Sequence, residues 1–207
     1  MENRWAEFVA PTITNIEEAA SEVPAPAKDV LRGVSAPQLG MRNLPDDERQ
    51  LAQAEPAGPS PFWVGAHGGA GETTLARLIG GTACDHRWPM NAEALMPFPV
   101  FLVARLDHEG LAAASLAARD WASGRRTSVN LLGLVAIASA PGKTPRELGR
   151  QLQILSGAVP RTWIIPWIEE LRLSGTATRG NLTRETEKRL LTLEAAATQH
   201  LHERKKS

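Results

Sequence analysis

The residues best suited to chemistry sit in one stretch, Trp63-Val64-Gly65-Ala66-His67-Gly68-Gly69-Ala70-Gly71-Glu72-Thr73-Thr74-Leu75. Glycines let consecutive backbone N–H groups converge on phosphate oxygens, a helix opening just after the loop adds the positive end of its dipole, and a hydroxyl at that point holds a magnesium ion. Gly68, Gly69, Ala70, Gly71, Glu72, Thr73 and Thr74 are therefore the candidate ligand-binding residues, with Thr73 as the candidate metal contact. Glu72 has the wrong sign for an anion site, and no catalytic residue is assigned.

Other clusters have ordinary explanations. Gly142-Lys143-Thr144 lacks the earlier glycine of a phosphate loop and reads as a capped helix start. Cys84-Asp85-His86 and His200-Leu201-His202 hold metal-ligand types, but neither has a second cluster at zinc-site spacing. Asp107-His108-Glu109 reads as an N-cap followed by a carboxylate that the helix dipole favours. Ser115 and Ser139 lack the glycine-flanked turn of a hydrolase nucleophile, and core packing is the commoner use of Trp63, Trp88, Trp121, Trp163 and Trp167.

The elements that must position the loop alternate between apolar runs and helical patterns, as βαβ units do. Phe62-Trp63-Val64 is a short strand, and a helix follows from Thr73 to Ile79. The runs from Pro99 to Ala104 and from Val129 to Ala138 are continuously apolar, as strands covered on both faces are. Between them Leu111, Ala114, Ala118, Trp121 and Ala122 make one helical stripe. Thr144 and Glu147 form a capping box with Pro145 at the first helical position, Leu148, Leu152 and Leu155 build the buried face, and Gly157 ends the helix. A fourth strand, Arg161 to Ile165, stops at Pro166, and Trp167 to Leu171 adds a helical turn. Residues 183–202 form an amphipathic helix with Leu190, Leu193, Ala197 and Leu201 on one side, to pack on the sheet or on a second protomer.

Ahead of these elements Pro24, Pro26, Pro37, Pro45, Pro56, Pro59 and Pro61 punctuate a stretch without sustained periodicity. Residues 1–60 are read as a flexible leader with two short helical stretches, 15–21 and 27–33. The fold class is α/β: a three-layer domain over 61–175 with a mainly parallel sheet of four or five strands, then a helix and basic tail over 176–207.

Bulk properties narrow the function classes. Lysine plus arginine equals aspartate plus glutamate at 23 each, so no global field attracts nucleic acid or anionic lipid. The single cysteine, Cys84, allows no internal disulfide, and Met1-Glu2-Asn3-Arg4-Trp5 lacks the apolar stretch of a signal peptide, so a cytoplasmic protein is expected. Pro99 and Arg105 break the best apolar run, which leaves no membrane span.

The glycine loop resembles that of the deviant Walker A ATPases related to MinD and ParA, which reads Lys-Gly-Gly-x-Gly-Lys-Thr-Thr. Gly68, Gly69, Gly71, Thr73 and Thr74 match it, while His67 and Glu72 replace the two lysines. The likeness extends through Leu131-Leu132-Gly133-Leu134-Val135 and the stretch from Val159 to Pro166, covering residues 61–172. It implies a P-loop NTPase-like fold with ATP and magnesium as ligands, and an association with actinobacterial plasmids or other mobile elements. The strand that carries the family's magnesium-site aspartate has no counterpart between Ile79 and Pro97.

A lysine about 4 Å from a phosphate charge contributes up to about 4 kcal/mol at an effective dielectric near 20, and a carboxylate there reverses the sign. Micromolar binding amounts to only about 8 kcal/mol, so the exchange pushes affinity towards millimolar. The expectation is a degenerate, non-hydrolysing regulatory or scaffolding protein with weak or no nucleotide binding, acting through a protein partner or a second copy of itself. The alternative is an ATPase that borrows a cation from His67, Lys143 or a partner chain.

Overall fold

The structure, a computed structural model, describes residues 30–206 other than 39, 43, 46, 47, 49, 50, 92–95 and 177; of the final helix, side chains are described through Gln199. In chain order the elements are β1 (Leu31–Arg32), β2 (Ala52–Ala54), β3 (Phe62–Gly65), α1 (Glu72–Ile79), β4 (Thr82–Ala83), β5 (Arg87–Pro89), β6 (Phe98–Leu106), α2 (His108–Ala122), β7 (Val129–Ala138), α3 (Arg146–Ser156), β8 (Arg161–Ile165), α4 (Glu169–Ser174), a 3-10 turn at Arg179–Asn181 and α5 (Arg184–Lys206). No helix among the described residues is long and apolar enough to cross a membrane.

Six strands form one sheet in the order β1-β8-β7-β6-β3-β4. The five from β3 onward run parallel, and β1 lies antiparallel on β8. Side-chain alternation sends Val100, Leu102 and Ala104 of β6 to the face covered by α2 and α3, and Phe101 and Val103 to the face covered by α1 and α5. On that second face Trp63 stacks on Phe101 at 4.8 Å between centroids, and Trp163 meets Phe101 edge-on at 5.5 Å. A bulge keeps β7 in step with both layers: Val100 pairs with Leu131 and Phe101 with Gly133, so Leu132 is the extra residue. Gly133 sits at φ 156°, and a Cβ there would lie 2.3 Å from the Arg161 carbonyl. Only glycine fits.

Numbered from the loop strand, the parallel core has the doubly wound order 2-1-3-4-5. After β3 the chain crosses to β4 on one side, and the later core strands β6, β7 and β8 are added on the other. The connections therefore diverge between β3 and β6, which opens a crevice at the carboxyl ends of those two strands, where α/β folds bind ligands.

The long strands and the helix over α2 stand where the sequence places them, and α5 buries Leu190, Leu193 and Ala197 against its own sheet. Four features correct the sequence reading. Short strands β1, β2, β4 and β5 are added, with β2 and β5 paired in parallel as a separate ribbon. Described parts of the leader lie on the core: Gly33 and Val34 donate backbone hydrogen bonds to Pro160 and Gly157, Gln38 donates to Ala122, and Leu44 and Leu51 are buried. In the expected 27–33 helix, Leu31 and Arg32 are strand instead, and stretch 15–21 lies outside the described residues. The Thr144–Glu147 capping box does not form, because extended Pro145 is itself the N-cap and shifts the helix frame by one residue.

Candidate functional site

The glycine loop leaves β3 at the crevice. Gly69 and Gly71 adopt φ 75° and 105°, conformations open to glycine at little cost, and Gly71 also abuts Ile137, so close that a Cβ would lie 2.7 Å from its Cδ1. Ala70 N–H turns back to the His67 carbonyl at 3.3 Å, and Leu75 N–H begins the α1 ladder on Gly71 at 3.0 Å. Among the described residues, the N–H groups of Gly68, Gly69, Gly71, Glu72, Thr73 and Thr74 donate to no protein acceptor. A Cβ added at Gly68 or Gly69 would meet nothing within 4 Å, so the loop faces open space.

His67 is a tether and not a cation. Its Nε2 accepts from the Arg105 N–H at 3.1 Å and its Nδ1 donates to the Gly68 carbonyl at 2.9 Å, which commits both ring nitrogens in the neutral form. Protonating Nε2 would break the link between loop and β6.

Glu72 is tied to the connection after β4. Its carboxylate is buried, with Oε1 3.1 Å from His86 Nδ1, and that nitrogen is also 3.2 Å from the Gly65 carbonyl. Facing two acceptors, Nδ1 carries the hydrogen, so Nε2 is the free nitrogen. Gly65 belongs to the same arrangement: a Cβ there would fall 2.5 Å from Glu72 Oε2 and 2.6 Å from His86 Nδ1. Next to it, burial first and then the charges of Asp85 and Glu72 push the Cys84 thiol up to about 11, which keeps it protonated and unreactive.

The cation that faces the loop is Arg105. It continues the alternation that sends Phe101 and Val103 towards α1, and it stands half-buried at the carboxyl end of β6. Its guanidinium lies over the Trp167 ring, 5.9 Å from the centroid, and no carboxylate pairs with it among the described residues. Arg105 lines two adjoining hollows. One of about 410 Å³ also takes in His67, Gly68, Gly69, Asp107, His108 and Glu109, and one of about 440 Å³ takes in Gly71, Glu72, Thr73, Thr74, Asp85 and His86. Lys143 lines a different cleft with Pro166 and Trp167, away from the loop residues. The sequence displayed Arg105 only as a break in an apolar strand; a charged residue inside such a run was the available signal.

The described residues hold no ready-made magnesium site, although Asp85 borders the same hollow as Thr73. Thr73 stands exposed at the start of α1, but Glu72 is committed to His86 and Asp107 Oδ1 accepts from Gly110 N–H at 2.8 Å as the α2 cap. Among the described residues no group of three or more His, Cys, Asp or Glu side chains is placed to hold a metal.

A family model matches residues 60–189, a span that contains the loop, Glu72, His86, Arg105 and Trp167. The chain belongs to DUF6668, a family of unknown function. No curated protein and no solved structure matches it. In this DUF6668 chain the match opens just before β3 and closes inside α5, so it takes in every strand of the parallel core.

Proposed function

We propose that this DUF6668 chain is a degenerate P-loop-type protein that holds a phosphorylated ligand, such as a nucleotide, without metal-assisted hydrolysis, and that it serves as a regulatory or scaffolding component. One observation carries the reading: Arg105, whose guanidinium has no carboxylate partner among the described residues, faces a glycine loop in which Gly68, Gly69, Gly71, Glu72, Thr73 and Thr74 donate their N–H to no described acceptor. Arg105 takes the place of the absent lysine from a neighbouring strand, and its fork suits phosphate oxygens. The alternative, an ATPase that borrows a cation, draws on the same arginine and would need Asp85, which borders the same hollow as Thr73, to complete a magnesium site.

Calorimetric titration of ATP and of inorganic pyrophosphate, with and without magnesium, tests this against Arg105→Met. Hydrogen bonds to a charged group contribute about 1.5–3 kcal/mol, so the variant should bind roughly 10- to 150-fold more weakly. Magnesium should change little, and no phosphate should be released. Absence of binding by the wild type, or equal binding by the variant, would sink the proposal. Phosphate release abolished by Thr73→Ala would put the ATPase in its place.

A further inference from the structure

The Glu72–His86 pair is not needed to hold an anion, yet the protein goes to some length to build it. Asp85 and His86 are consecutive non-glycine residues at φ 45° and 58°, a left-handed conformation costly for both. Gly65 is stripped of a side chain where Glu72 and His86 meet. The result is a buried carboxylate fixing Nδ1–H of an imidazole whose other nitrogen has no partner among the described residues and whose ring, with its side chain 37% exposed, borders the hollow that Arg105 and Thr73 also line. A carboxylate–imidazole pair of this kind orients the ring, raises the electron density at the free nitrogen and stabilises positive charge on the ring when that nitrogen reacts.

We propose that His86 Nε2 is a phosphoryl-acceptor site, taking a phosphoryl group from a small phosphorylated donor held in the cleft, with Glu72 as its positioning residue. The proposal rests on the anion-site reading above. The Nε2 lone pair attacks phosphorus and the N–P bond forms. The bond from phosphorus to the leaving group breaks, and the leaving group departs with that electron pair and takes a proton from solvent. Nδ1 keeps its hydrogen, and the charge left on the ring is paired with Glu72. No metal or oxidant enters the balance, and a protein that stores a phosphoryl group is a regulatory device, as the anion-site reading requires.

The test is phosphoramidate labelling of the full chain, a reaction in which ammonia is the leaving group, read by phosphorus NMR and by mass spectrometry of acid-labile adducts. Exposed His108, which borders the adjoining hollow of Arg105 and the loop but has no carboxylate partner among the described residues, is the internal reference: it shares the donor's surroundings and lacks the pair. His86 should label about tenfold faster than His108 or more, and Glu72→Gln, which keeps an acceptor but removes the charge, should slow His86 by about tenfold while His108 is unchanged. His86→Gln should lose that adduct alone. Equal rates at His86 and His108, or no effect of Glu72→Gln on His86, would overturn the proposal and leave the pair a structural strut. Pyrophosphate binding without labelling of His86 would discard this inference and keep the anion site. Failure of both would discard both.

Discussion

Restoring the lysine that the loop lacks should not restore an ATP site, because the side chain at position 72 is buried in a pair with His86. In Glu72→Lys an ammonium would replace a carboxylate whose side chain is 7% exposed and whose partner is His86 Nδ1 at 3.1 Å. The variant loses a hydrogen bond to a charged acceptor, about 1.5–3 kcal/mol, and leaves the Nδ1–H facing a cation. It must also dehydrate the new ammonium against Gly65, although the partly exposed ring gives it a route to solvent. A total near 2–3 kcal/mol is expected, and at about 2–4 °C per kcal/mol for a domain of this size the Tm should fall by roughly 5–10 °C. Thermal unfolding followed by circular dichroism reads the loss, and Mg-ATP calorimetry on the same sample reads the site. A variant as stable as the wild type that binds Mg-ATP tenfold tighter would refute the reasoning, since its lysine would then lie on the phosphates.

Two further substitutions probe the frame around the cleft. Asp120 is buried in α2, where Oδ2 accepts from Arg126 Nε at 2.7 Å and from Trp88 Nε1 at 3.1 Å, so Asp120→Ala should cost about 3–5 kcal/mol by stranding a nearly buried guanidinium. Urea unfolding measures it, and a change under about 1 kcal/mol would show that water replaces the carboxylate. At Gly33 a Cβ would lie 2.2 Å from the Ser156 carbonyl and 2.5 Å from that of Val159. Gly33→Ala should therefore release β1 at a cost of about 1–3 kcal/mol, seen as faster hydrogen exchange of the amide at position 33 and that of Val34. Unchanged exchange there would mean that the leader shifts without letting go.

The parts of the fold legible in the sequence were those with long signals. β6 and β7 are covered on both faces, so their apolar runs stand out, and α2 shows its stripe because one side alone meets the sheet. β1, β2, β4 and β5 are two or three residues long and exist because a distant strand pairs with them, which local periodicity cannot register. The loop was readable because left-handed turns call for glycine. Glu72 was not, because its meaning depends on His86, brought beside it by a connection with no pattern of its own. Arg105 needed the strand order: only with β6 next to β3 does a charge ending one strand face the loop that follows the other.

The antiparallel strand β1 also bears on how the molecule behaves among its own copies. By lying along β8 it occupies backbone donors and acceptors that would otherwise form an open rim of the sheet. Such rims recruit strands from neighbouring molecules. A chain trimmed to begin at Ser60, where the DUF6668 match opens, keeps every residue of the cleft but bares that rim. Self-association of the trimmed chain would then be expected from the missing guard strand, since Leu31 and Arg32 cover part of that rim.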